Sequence, residues 1–197
     1  MTLATFQFLD PGPLVDRELQ LVPPSYRWLD DMLFSCSHPL CHGDETAEQH
    51  KSLVHDFLKA APDGREMPDV LRGRVASYHY WMRLRPEFDP PIPIAGMVGL
   101  RVGDSEDLRL HLGHVGYSVY PAARGRHLAE RAVRLILPLA RRHGQRELWI
   151  TTNPENIASR RTCERLGAQY ISTVRLPKTH PLYKRGERMK CRYRLDL

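Results

Sequence analysis

The sequence has no run of about 18 apolar residues, the least that a membrane-crossing helix needs, and its mean hydropathy is −0.46. No membrane span or membrane partner is therefore expected. Cysteine is scarce, with four residues (Cys36, Cys41, Cys163, Cys191) in 197. That excludes a disulfide scaffold and predicts thiols. The opening stretch MTLATFQFLDPGPLVDRE lacks the basic start of a secretory signal, so a cytoplasmic location is expected. Neither the G-x-x-x-x-G-K-[ST] phosphate loop nor the dinucleotide fingerprint G-x-G-x-x-G occurs. No helix-turn-helix, finger or aromatic-platform motif is present, which argues against nucleic acid as a partner.

What is there fits an ordinary folded chain: 42% of residues are hydrophobic and 26% charged, close to a globular average. The length predicts one domain over residues 1–197. Charge is uneven. Residues 1–120 carry 11 basic against 17 acidic residues, and residues 121–197 carry 18 against 6. The basic half suggests an anionic ligand such as a phosphorylated cofactor. The acidic half also holds Tyr26, Trp28, Tyr78, Tyr80 and Trp81, a composition that would suit a cationic amine. Cys36, His38, Cys41 and His42 collect metal-ligand atoms, but at none of the familiar zinc spacings. They read as a loop closing a helix, and no metal is predicted.

Hydrophobic periodicity and turn residues predict strands at 17–22, 78–84, 94–102, 108–120, 147–152, 168–176 and 188–195. They predict helices at 25–35, 44–61, 126–143 and 156–166. This order describes one mixed α/β sheet with helices packed on it. The last strand alternates Met189, Cys191, Tyr193 and Leu195 with Lys190, Arg192 and Arg194, as a sheet with one buried face requires.

The informative stretch is Gly113-His-Val-Gly-Tyr-Ser-Val-Tyr-Pro-Ala-Ala-Arg124-Gly-Arg-His-Leu-Ala129. A strand runs through a Gly/Arg loop into a helix. The first N–H groups of a helix have no intrahelical partner and sit at its positive end, so they hold phosphate well. A second strand–helix junction follows at Asn153-Pro-Glu-Asn156-Ile-Ala-Ser159-Arg-Arg-Thr-Cys163-Glu-Arg-Leu-Gly167-Ala168.

Together these two junctions resemble the GNAT superfamily of N-acetyltransferases, whose pyrophosphate loop reads [QR]-x-x-G-x-[GA]. Arg124 and Ala129 match its ends, while His127 stands where that family has glycine. The resemblance implies a mostly antiparallel central sheet of α+β class, flanked by about four helices and splayed between its fourth and fifth strands. It implies acetyl-CoA as co-substrate. Main-chain groups around Val119 and Tyr120 would take the pantetheine arm, with Arg124, Gly125, Arg126, His127, Leu128 and Ala129 at the pyrophosphate and Asn156 on the arm. The general base expected on the splayed strand is His111 or His114, with His114 nearer the splay. Cys163 occupies the family's general-acid position, and Tyr117, Tyr120 and Tyr170 are alternative donors. The implied activity is direct acetyl transfer to a primary amine of a small molecule or peptide. A non-catalytic acyl-CoA-binding module is the competing reading, given His127 and the missing tyrosine. Pairing into a homodimer stays open.

Overall fold

The computed structural model describes residues 6–41 and 47–197. Strand β1 (Leu19–Val22) leads through a short turn capped by Ser25 into α1 (Leu29–Cys36). Helix α2 (Ala47–Ala60) is followed by the two-residue strand β2 (Arg65–Glu66). Two nine-residue strands, β3 (Ala76–Leu84) and β4 (Ile94–Val102), form the centre. Then come β5 (Val115–Val119), α3 (Leu128–Arg142), β6 (Glu147–Thr152), α4 (Ile157–Leu166), β7 (Gln169–Arg175), a one-turn helix α5 (Pro181–Lys184) and β8 (Met189–Asp196).

One sheet has the order β1-β3-β4-β5 with β2 also on β3, and the other has the order β6-β8-β7. Every ladder is antiparallel. Alternation along β3 and β4 divides the core between the two faces. Tyr78, Tyr80, Met82, Val98 and Leu100 pack with Leu128, Ala132, Val133, Ile136 and Leu139 of α3. On the opposite face, Trp81 and Ile94 pack with Met32 and Cys36 of α1 and Leu58 of α2.

The expected long strand over 108–120 is corrected. Leu108–Leu112 is a wide, π-type helical turn, and only Val115–Val119 is strand. Leu108, Leu110 and Leu112 alternate, which mimics a strand. Local hydrogen bonds decide otherwise: Ser105 Oγ accepts from the Leu108 amide (3.2 Å), and Asp107 pairs with His111 four residues on (2.8 Å). A helical turn at Pro181–Lys184 lies in a stretch for which the residue pattern predicts no element. In the tail, Cys191, Tyr193 and Leu195 are buried as expected, but so is Lys190, whose Nζ donates to Asn153 Oδ1 (2.9 Å).

No ladder joins β5 to β6. They meet at one seam, where the His114 amide donates to the Trp149 carbonyl (2.6 Å) and the Trp149 amide donates to His114 Nδ1 (2.9 Å). Gly113 makes this approach possible. Its φ is +71°, and a Cβ there would lie 3.0 Å from both the Thr151 amide nitrogen and the Trp149 carbonyl oxygen. Gly113→Ala is therefore expected to cost about 2 kcal/mol, read as a lower urea midpoint, because both backbone strain and the close approach oppose a side chain. Burial also pushes the pKa values of His79, His114 and His143 below the ordinary 6.5. The unfolded chain binds those protons more readily, so stability is held above pH 6.5 and lost as pH falls below it. Urea midpoints measured across that range should show this slope.

Candidate active site

In an antiparallel ladder, successive residues turn their main-chain groups alternately toward and away from the neighbouring strand. The Arg101 amide donates to the His114 carbonyl, and the Tyr120 amide to the Ala95 carbonyl (2.8 Å). Val115, Tyr117 and Val119 therefore present their amides and carbonyls to the gap that opens beyond the seam. Val119 and Tyr120, adjacent in sequence, cannot both do so. The expectation for Tyr120 is corrected: its main chain serves β4, and its ring lies against α1, with its hydroxyl 3.4 Å from Met32 Sδ and 3.3 Å from Cys36 Sγ. Cys36 is thus packed in the core, and His38 Nδ1 accepts from the Leu40 amide (3.2 Å). His42 lies outside the described residues.

A cleft of about 540 Å³ opens between β5, the start of α3 and α4. Val119, Arg124, Gly125, His127, Leu128, Ala129 and Asn156 all line it. The first intrahelical bond of α3 runs from the Arg131 amide to the His127 carbonyl (3.1 Å), and no side chain caps the helix. The amides of Leu128, Ala129 and Glu130 are thus left without intrahelical acceptors at the positive end of a 15-residue helix. His127 is left-handed (φ +54°), which explains why glycine suits this place in the loop. Arg124 Nε donates to the Val119 carbonyl (3.2 Å).

The Arg126 side chain is a second correction. It turns away from the cleft to Glu18 (3.1 Å), beside Arg131, which grips Asp16 and Glu18. Hydrogen bonds from Arg131 and Arg126 hold the Glu18 carboxyl below its usual range. Asn156 caps α4, accepting from the Ser159 amide (3.0 Å), and still faces the cleft. Arg161 and Arg165, one turn apart on α4, also line it. Their spacing of four residues, visible in the sequence, puts both on one face of α4.

His114 is the third correction. Its Nδ1 accepts from the Trp149 amide, so its Nε2 carries the proton and donates to the Gly103 carbonyl (3.1 Å). Both nitrogens of a 3% exposed ring are used, and neither can take a proton from a substrate. His111 differs. Its Nδ1 donates to Asp107 (2.8 Å), its Nε2 has no partner among the described residues, and it lines a recess of about 260 Å³ with Tyr117. Asp107 also receives the Nε2 proton of His180 (3.1 Å), whose tautomer follows from Nδ1 accepting the Leu182 amide (3.2 Å). These three side chains converge closely enough for a metal. However, the proton on His180 Nε2 occupies the position a metal would need.

Cys163 is fully buried, and burial pushes its thiol up to about 11. Its Sγ lies 3.9 Å from the Tyr117 hydroxyl, which sits 2.9 Å from Ser159 Oγ. Tyr117 thus reaches the spot expected for Cys163, and burial raises its pKa and keeps it protonated. It lines the large cleft, the His111 recess and a third recess of about 350 Å³ on the opposite sheet face. Tyr170 is remote, on β7, bonded to Thr173 (2.8 Å). The three tyrosines left open by the sequence are therefore separated by position.

Among the described residues no helix is long and apolar enough to cross a membrane. A family model described as an acetyltransferase (GNAT) domain matches residues 19–169. A GCN5-related N-acetyltransferase from Brucella melitensis superposes with a TM-score of 0.65 at 16% identity, over 99% of this chain and 83% of that one. The GNAT-family acetyltransferase from Bacillus anthracis gives 0.59 at 12% identity, over 93% and 98%. The microcin C7 self-immunity acetyltransferase MccE, solved with acetyl-CoA and AMP, gives 0.60 at 14% identity, over 92% and 94%. These structures share the fold, including the mostly antiparallel sheet with flanking helices. No curated protein sequence matches the chain. The family match spans well over half the sequence, and with the open strand edge and uncapped helix it leads to one conclusion: the chain belongs to the GNAT family of acetyltransferases, acyltransferase enzymes that use acetyl-CoA.

Proposed function

We propose that this enzyme transfers the acetyl group of acetyl-CoA directly to a primary amine of a small molecule or peptide. The observation that carries this reading is the position of Tyr117, on a wall common to the cofactor-sized cleft and to both recesses beyond the seam. A cytoplasmic location suits the four unbridged thiols.

The residues present fit acetyl-CoA. The free amides at Leu128–Glu130 suit a pyrophosphate, and Arg124 and Arg161 add positive charge at the cleft wall beside Arg165, which pairs with Glu130 (3.3 Å). The outward amides and carbonyls of Tyr117 and Val119 can pair with an amide chain as an added strand would. When bound, acetyl-CoA supplies the thioester that an amine attacks. The His111 Nε2 lone pair, oriented by Asp107 through Nδ1, takes the proton that the amine sheds as its nitrogen–carbon bond forms. Tyr117, protonated in its buried setting, donates a proton to the sulfur as the carbon–sulfur bond breaks. Ser159 Oγ, 2.9 Å away, orients that hydroxyl.

Thiol release from acetyl-CoA in the presence of small-molecule and peptide primary amines tests this reading, and release confined to alcohols would overturn it. Tyr117→Phe and His111→Gln should each lower kcat about 100-fold, with the acetyl-CoA Kd from calorimetry unchanged within about twofold. His127→Gly should relieve left-handed strain and stabilise the fold by about 1 kcal/mol without altering kcat. A urea midpoint measured beside the rate checks both parts.

A further inference from the structure

The recess opposite α3 is built over a row that holds two glycines. His79, Gly99 and Gly116 lie side by side across β3, β4 and β5. His79 leans on the first glycine, where a Cβ would be 3.4 Å from Nδ1. The Arg101 guanidinium lies over the second, where a Cβ would be 3.7 Å from Nη1 and 4.0 Å from Nη2. Trp81, Met97 and Phe57 line the same recess and make it largely apolar.

Among the described residues Arg101 has no counter-ion of its own. Its Nη1 donates to the carbonyls of Leu112 (3.4 Å) and Gly113 (3.0 Å), which steadies the helical turn, but among the described residues no carboxylate comes within ion-pair distance of it. The two acidic residues that act on it electrostatically are Glu66 and Asp107, and both are committed elsewhere. Glu66 pairs with Arg74 (2.6 Å) and faces His79 (3.4 Å). Asp107 holds His111 and His180. Burial lowers the Arg101 pKa against the opposing pull of Glu66 and Asp107, as it does for a cation only partly compensated for its removal from water. Among the described residues its Nε and Nη2 hydrogens have no acceptor, and the side chain borders both recesses together with Gly116 and Tyr117. A guanidinium with a free edge matches a planar or tetrahedral oxyanion.

We propose that the acceptor amine carries an anionic oxygen group, a carboxylate or a phosphate, that pairs with Arg101 while its apolar part rests on Trp81, Met97 and Phe57. This rests on the transferase reading above and names its acceptor class. It differs from the cationic acceptor suggested by charge arithmetic. Asp16, Glu18, Glu66, Asp104 and Asp107 of the acidic half are all spent on arginines or histidines of the chain itself.

Paired amines differing only in that anionic group test the proposal. Phenylalanine against phenylalaninamide reads a carboxylate, and 2-aminoethyl phosphate against ethanolamine reads a phosphate. The charged member of at least one pair should show a kcat/KM at least 10-fold higher with the native enzyme. Arg101→Gln should abolish that preference through KM, and Arg101→Lys should keep part of it. Calorimetry should give both variants native acetyl-CoA affinity. Equal or reversed preference in both pairs, including no reaction of either charged amine, overturns the proposal even if Arg101→Gln does not fold. Preference that survives in a folded Arg101→Gln also overturns it. Acetyl-CoA binding and turnover of neutral amines alone would leave the transferase reading standing and remove only this one. A native chain that does not bind acetyl-CoA would remove both.

Discussion

The seam between His114 and Trp149 is the constraint on which the site depends. Two backbone amides and one imidazole join the two sheets at a single point, and Gly113 lets the chains come close enough to do so. Beyond that point β5 has β4 on one side and open space on the other. A continuous ladder would have consumed the amides and carbonyls of Tyr117 and Val119, leaving no edge to receive a ligand. The buried histidine is thus the fastening that keeps the cleft's hinge line in place.

From that fastening the chemistry divides by sheet face. One side of β5 meets α3 and α4, where uncapped amides, Arg124 and Arg161 line the cleft. The other side meets the glycine row, Arg101 and the aromatic wall. Tyr117 borders both, because alternation along a five-residue strand sends its ring toward α4 while its backbone faces the gap. Arg101 ties these parts together: it holds the turn that carries His111 and leaves its remaining donors to the recess.

Several of these features were legible in the residue order. The Arg124–Ala129 loop, the cap at Asn156 and the strand at Glu147–Thr152 lie where periodicity and capping put them, because each depends on neighbours within one or two turns of chain. The competition at Leu108–Leu112 went the other way, since alternating leucines fit a strand while Ser105 and Asp107 offered a helical turn its hydrogen bonds. Adjacent Val119 and Tyr120 were grouped by motif, although the pleat assigns them opposite directions.

By itself, the sequence determined the two strand–helix junctions that carry the family resemblance and the burial stripe of α3, which are set by short-range spacing. Only the tertiary structure decided which histidine lines the recess, which tyrosine reaches the cleft and which arginine borders both recesses. Those properties depend on partners far away in the chain: Trp149 for His114, Ser159 for Tyr117, Glu18 for Arg126. A side chain's protonation and reach are fixed by what folding brings beside it, and no local pattern records that.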